Sequence, residues 1–361
     1  MIPYIIKGGE YGVAITAIQE IAMKRKIMLL LTFIFVIVLA GCGNNGSGDA
    51  ADGKKAKELR ISLTISETSS WMTGAKYFAD NIEERTGGRY KASIFPSDQL
   101  AGGSSTKSVE MLQDGSIDIA IQSSILWSSV EPRVSVINMP WLINNNDDAD
   151  RIMGGEGGEM VKELLREKGI EVMAFGESGY RQVSNNIRTI TEPSDLKGIK
   201  IRVPGIQLYM DIFKTLGADP QVMSGSELFT GLQQGAVDGQ ENPEDLILSQ
   251  RVAEVQKHLT LWNYSYDALL MSSNKKLWDS LSEEDKQAFQ TLAKEAMDKQ
   301  KEQARKDRED CIPKLKEMLE ITYLTDEQTN TFKEAVKPVY DKWEETITPE
   351  VLNAFGYNTQ N

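Results

Sequence analysis

Cysteine and histidine are nearly missing from this 361-residue chain, which holds two of the first and one of the second. Cys42 falls in a leader motif discussed below, so Cys311 has no partner, no internal disulfide forms, and the fold must rest on its apolar core. Cys311 reads as a buried spectator thiol. The one histidine, His258, lies in Gln256-Lys257-His258-Leu259-Thr260-Leu261, where a lone imidazole beside an apolar run reads as structural. Positive charge is also scarce: 40 Lys and Arg face 53 Asp and Glu, for a formal charge of −13. Such a chain is a poor candidate for binding nucleic acid or an anionic membrane surface, and an anionic ligand would need a local cationic pocket working against the global field. Catalytic motifs are few. Gly176-Glu177-Ser178-Gly179 superficially resembles a serine-nucleophile loop, with only His258 to act as its base. Asn144-Asn145-Asn146-Asp147-Asp148 lacks the alternating spacing of a Ca²⁺ loop and reads as a loop and helix cap. No cofactor and no metal is called for, and no internal repeat is present.

What is present begins with a secretory pattern. Met23-Lys24-Arg25-Lys26 forms a positive block, and Ile27 to Leu39 is an apolar block too short for a comfortable membrane span. Leu39-Ala40-Gly41-Cys42 then resembles the bacterial lipobox, in which small residues suit the signal peptidase and the thiol receives diacylglycerol. The alternative is an uncleaved signal anchor with Cys42 incidental. Residues 1–22 contain Glu10 and Glu20 and no sustained apolar run, so Met23 is the expected true start. Removing residues 1–41 takes away four basic and two acidic residues, and the charge of −13 becomes −15. Residues 42–57 are small, polar and charged, a composition that reads as a flexible tether.

From Glu58 onward, strand-like and helix-like patterns alternate. Glu58 to Ile65 has period two, and Trp71, Ala75, Phe78, Ala79 and Ile82 follow at helical spacing. Lys91 to Phe95 is a strand closed by Pro96, and Val109, Met111 and Leu112 mark a helix. Ile117 to Ile121 is a near-continuous apolar run, which suits a strand covered on both faces and predicts a parallel sheet flanked by helices. The alternation recurs at Glu171 to Phe175, Lys200 to Val203 and Val237 to Gln240. Ser282-Glu283-Glu284-Asp285 opens a long charged helix running toward Asp310, which Pro313 should break or kink. The expected fold is α/β and two-lobed, braced by that helix.

Polar residues at strand ends are the most telling feature. In Ile199 to Pro204 the β-branched residues point one way and Lys200 and Arg202 the other, and Pro204 leaves Arg202 at the carboxyl end of its strand. Open α/β sheets bind ligands there. Gln122-Ser123-Ser124 and Gln240-Glu241-Asn242 occupy the same kind of position, so three strands deliver polar side chains where a cleft should lie.

The blocks Asp195 to Pro204, Leu216-Gly217-Ala218-Asp219-Pro220 and Leu232 to Pro243 resemble, in the same order, those of the DctP-type solute receptors of TRAP (tripartite ATP-independent periplasmic) transporters. The similarity runs from about Glu58 to the carboxyl end and implies a fold like the type II periplasmic binding proteins. It also implies that Arg202, in Arg-Val-Pro, forms a salt bridge with a ligand carboxylate. Arg181 matches the family's Gly-x-Arg-Gln block and Asn242 its Gln-Glu-Asn-Pro block. Arg suits such a role because its planar fork reaches both carboxylate oxygens and stays charged. For Arg181 an interdomain salt bridge is the alternative. Gln122, Ser123, Glu241, Glu67, Trp71 and Tyr264 complete the expected contacts, the aromatic residues as stacking platforms for a sugar. Sialic-acid-binding members carry a glutamate after the third strand where Gln122-Ser123-Ser124 stands here, which argues against an amine-containing sugar.

The reading is therefore a lipid-anchored extracytoplasmic receptor for a small organic acid, a uronic or other sugar acid first and a C4-dicarboxylate second. Its partners would be the small and large TRAP membrane subunits, and the chain would not be an enzyme. The rivals are a lipid-anchored hydrolase or lyase using Glu177-Ser178 or Glu241, and a sensory subunit. Residues 58–178 with about 268–305 are assigned to one lobe and 179–267 with about 306–361 to the other, crossing near Gly179 and Asp267. Cys42→Ser should leave folding intact and release the protein from the membrane fraction; unchanged retention after fractionation removes the lipoprotein assignment.

Overall fold

The structure, a computed structural model, describes residues 55–357; the leader, Cys42 and most of the tether lie outside the described residues. Leu59, Ile61 and Leu63, alternate residues of the first strand, are fully buried and give it an apolar side to cover. The strands are β1 (Lys57–Leu63), β2 (Tyr90–Phe95), β3 (Ile119–Ser123), β4 (Ile170–Asn185), β5 (Lys200–Val203), β6 (Asp219–Val222), β7 (Gly239–Asn242), β8 (His258–Asn274) and β9 (Glu320–Tyr323). They form one sheet in the order β2-β1-β3-β8-β4-β7-β5-β6, with β9 against β8.

The sheet is mixed, which corrects the expectation of a parallel one. β2, β1 and β3 are parallel at one end, and β6, β5 and β7 at the other. Between them β8 runs antiparallel to β3 and β4, and β4 antiparallel to β7. An unbroken apolar run reports burial on both faces; it says nothing about strand direction, and β3 is buried throughout while pairing in both senses. The strand expected at Val237 to Gln240 instead starts at Gly239 and reaches Asn242.

β4 and β8 are 16 and 17 residues long and belong to both parallel flanks. The carboxyl-terminal part of β8 pairs with β3, and the carboxyl-terminal part of β4 pairs with β7. Gly179 and Asp267, the two crossing points named from the sequence, are direct cross-strand partners, beside a register shift at Glu177/Gly179.

The long helix, Glu283–Met318, starts where the Ser282 hydroxyl accepts the Asp285 N–H, a cap contributing about 1 kcal/mol. It runs on past Pro313, so of the expected break or kink the break does not occur. Cys311 and Leu315 flank the proline and are buried with Val237, Ile247 and Leu259, so tertiary packing outweighs the lost backbone bond. The amino-terminal part of the same helix buries Phe289, Leu292 and Ala296 among Leu59, Phe78 and Ile121. It thus braces both flanks. Burial pushes the Cys311 thiol up to about 12, which leaves it inert at neutral pH.

The brace is anchored on β4 beside the Gly179–Asp267 pair. The Gln300 side chain accepts the Glu177 N–H at 2.9 Å and donates to the Glu177 carbonyl at 2.8 Å. The Glu177 carboxylate, fully buried, pairs with Arg305 and Arg308. Farther on, the carboxyl-terminal helices touch both assigned segments: Tyr340 Oη donates to the Pro140 carbonyl at 2.7 Å, and Trp343 Nε1 to Asp211 at 3.0 Å.

Gly179 has φ +123°, and a Cβ there would run into the Arg308 guanidinium, which Glu177 holds in place. Gly179→Ala is therefore expected to destabilise the protein by about 2 kcal/mol or more, read as a lower urea midpoint at unchanged slope.

Candidate functional site

All six strands of the two parallel flanks end at one cavity. Thr64 and Ser66 follow β1, Ser97 and Asp98 follow β2, and Ser123 closes β3. From the other flank come Arg202 and Pro204 at the end of β5, Met223 and Ser224 after β6, and Asn242 at the end of β7. Arg181, Ser178 and Asp267 from the two central strands form part of the lining. The cavity holds about 700 Å³, within the ~300–1,000 Å³ usual for small-molecule sites.

Two arginines reach this cavity in opposite electrostatic states. Arg181 sits on β4, where it meets β7 and β8, and its fork is taken up by the protein itself. It pairs with both carboxylate oxygens of Glu241, donates to the Glu241 carbonyl at 2.8 Å and to Asn242 Oδ1 at 3.0 Å, and reaches Asp267 at 3.2 Å. Burial alone would favour its neutral form, but the charge and hydrogen bonds of Glu241 outweigh this and hold the guanidinium well above its ordinary range. Arg202 is 5% exposed and donates through Nε to the Met223 carbonyl at 2.9 Å. Its terminal amino groups have no carboxylate partner among the described residues. Burial therefore dominates and pulls it down to about 10, with Glu241 opposing and Arg181 adding repulsion.

Of the residues named from the sequence, Arg202, Arg181, Asn242, Ser123 and Trp71 line the cavity. Ser123 donates to Asp267 at 2.6 Å, and Ser124 joins it at 3.1 Å. Glu241, Tyr264, Gln122 and Glu67 are not on the wall. Glu241 is fully buried behind Arg181, and Tyr264 Oη donates to it at 2.7 Å from an aromatic cluster with Trp262, Phe213 and Tyr209. Both support Arg181. Gln122 alternates with Ser123 along β3 and points to the helix Ser105–Gln113, where Nε2 donates to Ser108 at 3.1 Å. Glu67 is exposed, in a turn closed by the Ser69 N–H to the Ser66 carbonyl. Cys42 lies outside the described residues.

Asp98 and Thr64 line the cavity without having been named. Their signal was the same strand-end rule, applied to β1 and β2 as well as to the later strands. The serine-nucleophile alternative fails on distance: Gly179 pairs with Asp267 while Asn185 pairs with His258. Ser178 and His258 are therefore about 23 Å apart along the strands. His258 instead faces Glu320 at 3.2 Å.

The family model of bacterial extracellular solute-binding proteins, family 7 (DctP), matches residues 61–346. The chain is 31% identical over 309 residues to the 2,3-diketo-L-gulonate-binding periplasmic protein YiaO of Escherichia coli K12, covering 86% of this chain and 92% of that one. It is 30% identical over 299 residues to the C4-dicarboxylate-binding periplasmic protein DctP of Rhodobacter capsulatus, covering 82% and 89%. A TRAP periplasmic solute-binding protein of Ralstonia eutropha H16, solved with bound (S)-2-acetolactate, superposes with a TM-score of 0.79 at 33% identity, over 83% of this chain and 98% of that one.

The two arginines should separate cleanly in ligand-free urea denaturation. Arg181→Ala strands two buried carboxylates and should cost about 3–5 kcal/mol. Arg202→Met removes a buried, uncompensated cation and should leave stability unchanged or raise it.

Proposed function

The chain belongs to the DctP family of extracytoplasmic TRAP receptors, and from that premise we propose that it captures a hydroxylated monocarboxylate, a uronic or other sugar acid, with Arg202 as the main anchor. The observation that carries this reading is the Arg202 fork, without a carboxylate partner among the described residues, at a strand end on the cavity wall. A ligand carboxylate supplies the missing counter-charge through two parallel hydrogen bonds. Asn242, beside the same wall, adds a polar contact. Arg181 supports the site electrostatically while remaining bound to Glu241 and Asp267. The sugar-acid name of the Escherichia coli relative favours this ligand class, and the dicarboxylate name of the Rhodobacter relative keeps a C4-dicarboxylate as the alternative.

Receptors of this family work with membrane subunits, and no helix of the described residues is long and apolar enough to cross a membrane. The small and large TRAP subunits are the proposed recipients, and diacylglycerol on Cys42 the proposed tether. The lobes are taken as residues 58–178 with about 268–305 and residues 179–267 with about 306–361. They would close over the ligand about the Gly179–Asp267 pair, where a register shift interrupts the ladder. Binding without turnover completes the reading: the site serves capture and release, and its relatives are receptors.

Calorimetry with D-galactonate, D-glucuronate, D-erythronate and succinate tests the anchor. Arg202→Ala should weaken the acid that binds by at least about 3 kcal/mol, more than a hundredfold. Arg202→Lys keeps the charge without the fork and should fall between. Near wild-type affinity in Arg202→Ala would remove Arg202 from the site, and consumption of the acid would restore the enzyme reading.

A further inference from the structure

The wall opposite Arg202 carries polar atoms that have no hydrogen-bond partner among the described residues. In the sheet order β1 and β2 stand at one end and β5 and β6 at the other, so Thr64, Trp71 and Asp98 line the cavity from the flank facing Arg202. Thr64 Oγ1, Trp71 Nε1 and Asp98 Oδ1 are all buried without a hydrogen-bond partner among the described residues. Asp98 is only 1% exposed, and its other oxygen, Oδ2, accepts from Ser105 at 2.8 Å. A buried polar group left unpaired costs about 1–3 kcal/mol, and more when charged, so three on one wall of a ligand cavity mark groups that the ligand completes.

Their chemistry is specific. An indole N–H only donates, a carboxylate only accepts, and a threonine hydroxyl does both. One kind of ligand group answers all three: a hydroxyl, which donates to Asp98 and accepts from Trp71. A second carboxylate does not, because it has no proton for Asp98 and repels its charge. The charged residues lining the cavity are Asp98, Arg181, Arg202, Glu227 and Asp267, and Arg181 is already neutralised. Counter-charge is therefore available for one ligand carboxylate, at Arg202. Burial raises the Asp98 carboxyl above its usual range, with the Ser105 and Ser108 hydroxyls opposing, as expected of an acceptor waiting for a partner.

Building on the receptor reading above, we propose that Asp98 is the specificity-determining residue of the site, accepting a ligand hydroxyl at the end remote from Arg202 and excluding dicarboxylates.

Calorimetry on the full chain tests this with D-galactonate, D-glucuronate and D-erythronate as hydroxylated monocarboxylates and succinate as the dicarboxylate. Wild-type protein should bind at least one hydroxylated acid at least ~10-fold tighter than succinate. Asp98→Ala should weaken that acid at least ~10-fold while succinate holds its affinity or gains, as like-charge repulsion is removed. Asp98→Asn keeps the shape and the Ser105 contact. Asparagine also tolerates the φ of +50° at this position, so a fold defect is separated from a binding defect; this variant should narrow the preference over succinate. Succinate binding as tightly as the hydroxylated acids in wild type, or an unchanged preference in both Asp98 variants, overturns the role of Asp98 and leaves the receptor reading standing. Binding of none of the four acids by wild type overturns both.

Discussion

The Arg181 guanidinium, held between Glu241 and Asp267 where β4 meets β7 and β8, sets the terms for the rest of the site. It joins three strands through charge-assisted bonds between buried side chains, where an unpaired charge would be costly. Tyr264 and Asn242 complete its shell, and Ser123 and Ser124 share Asp267 with it. Because these bonds consume its whole fork, Arg181 offers the cavity position and polarity but little free charge. That leaves Arg202, two strands over on β5 with β7 between, without a carboxylate partner among the described residues. A pair of arginines that looks redundant in sequence is thus divided: Arg181 is fixed in the wall by the protein's own carboxylates, and Arg202 lines the same cavity with its terminal amino groups free of any carboxylate among the described residues.

The same economy appears in the scaffold. Two long antiparallel strands are shared by both parallel flanks, and the long helix packs on both while fastening itself to Glu177 near the Gly179–Asp267 pair. Glycine is needed at 179 because the backbone adopts a positive φ and the Arg308 guanidinium occupies the space a side chain would need. Rigid pairing on either side of a local register shift is the kind of place where a structure bends without unfolding. The cavity opens at that line, between strand ends that belong to different flanks.

Ligand sites in open α/β sheets lie beyond the carboxyl ends of parallel strands, because helices cover the faces and only the ends remain open. Here six strand ends converge, three from each flank. The polar groups they present differ along the cavity: Arg202 on one flank, and on the other Asp98, Thr64 and Trp71, each with one buried polar atom unpaired among the described residues. On the proposed reading, this polarity suits an elongated molecule with one carboxylate and at least one hydroxyl.

Local patterns were enough to place most strands, the cap at Ser282, the core stripe of the helix Trp71–Arg85, and Arg202 at a strand end, because periodicity and turn chemistry act over a few residues. The strand-end rule reached Ser123 and Asn242 for the same reason. It also named Gln122, which alternation turns to the opposite side from Ser123, and Glu241, which lies fully buried behind Arg181. Strand direction, passage of the long helix through Pro313 and the division of labour between Arg181 and Arg202 were decided only by tertiary structure. Each depends on partners distant in sequence: β3 pairs in both senses, Cys311 and Leu315 are held by Val237, Ile247 and Leu259, and Arg181 is neutralised by residues 60 and 86 positions away. The sequence by itself determined which groups carry charge and where strands end; the fold decided which of those charges are already spent, because pairing and burial are properties of neighbours in space.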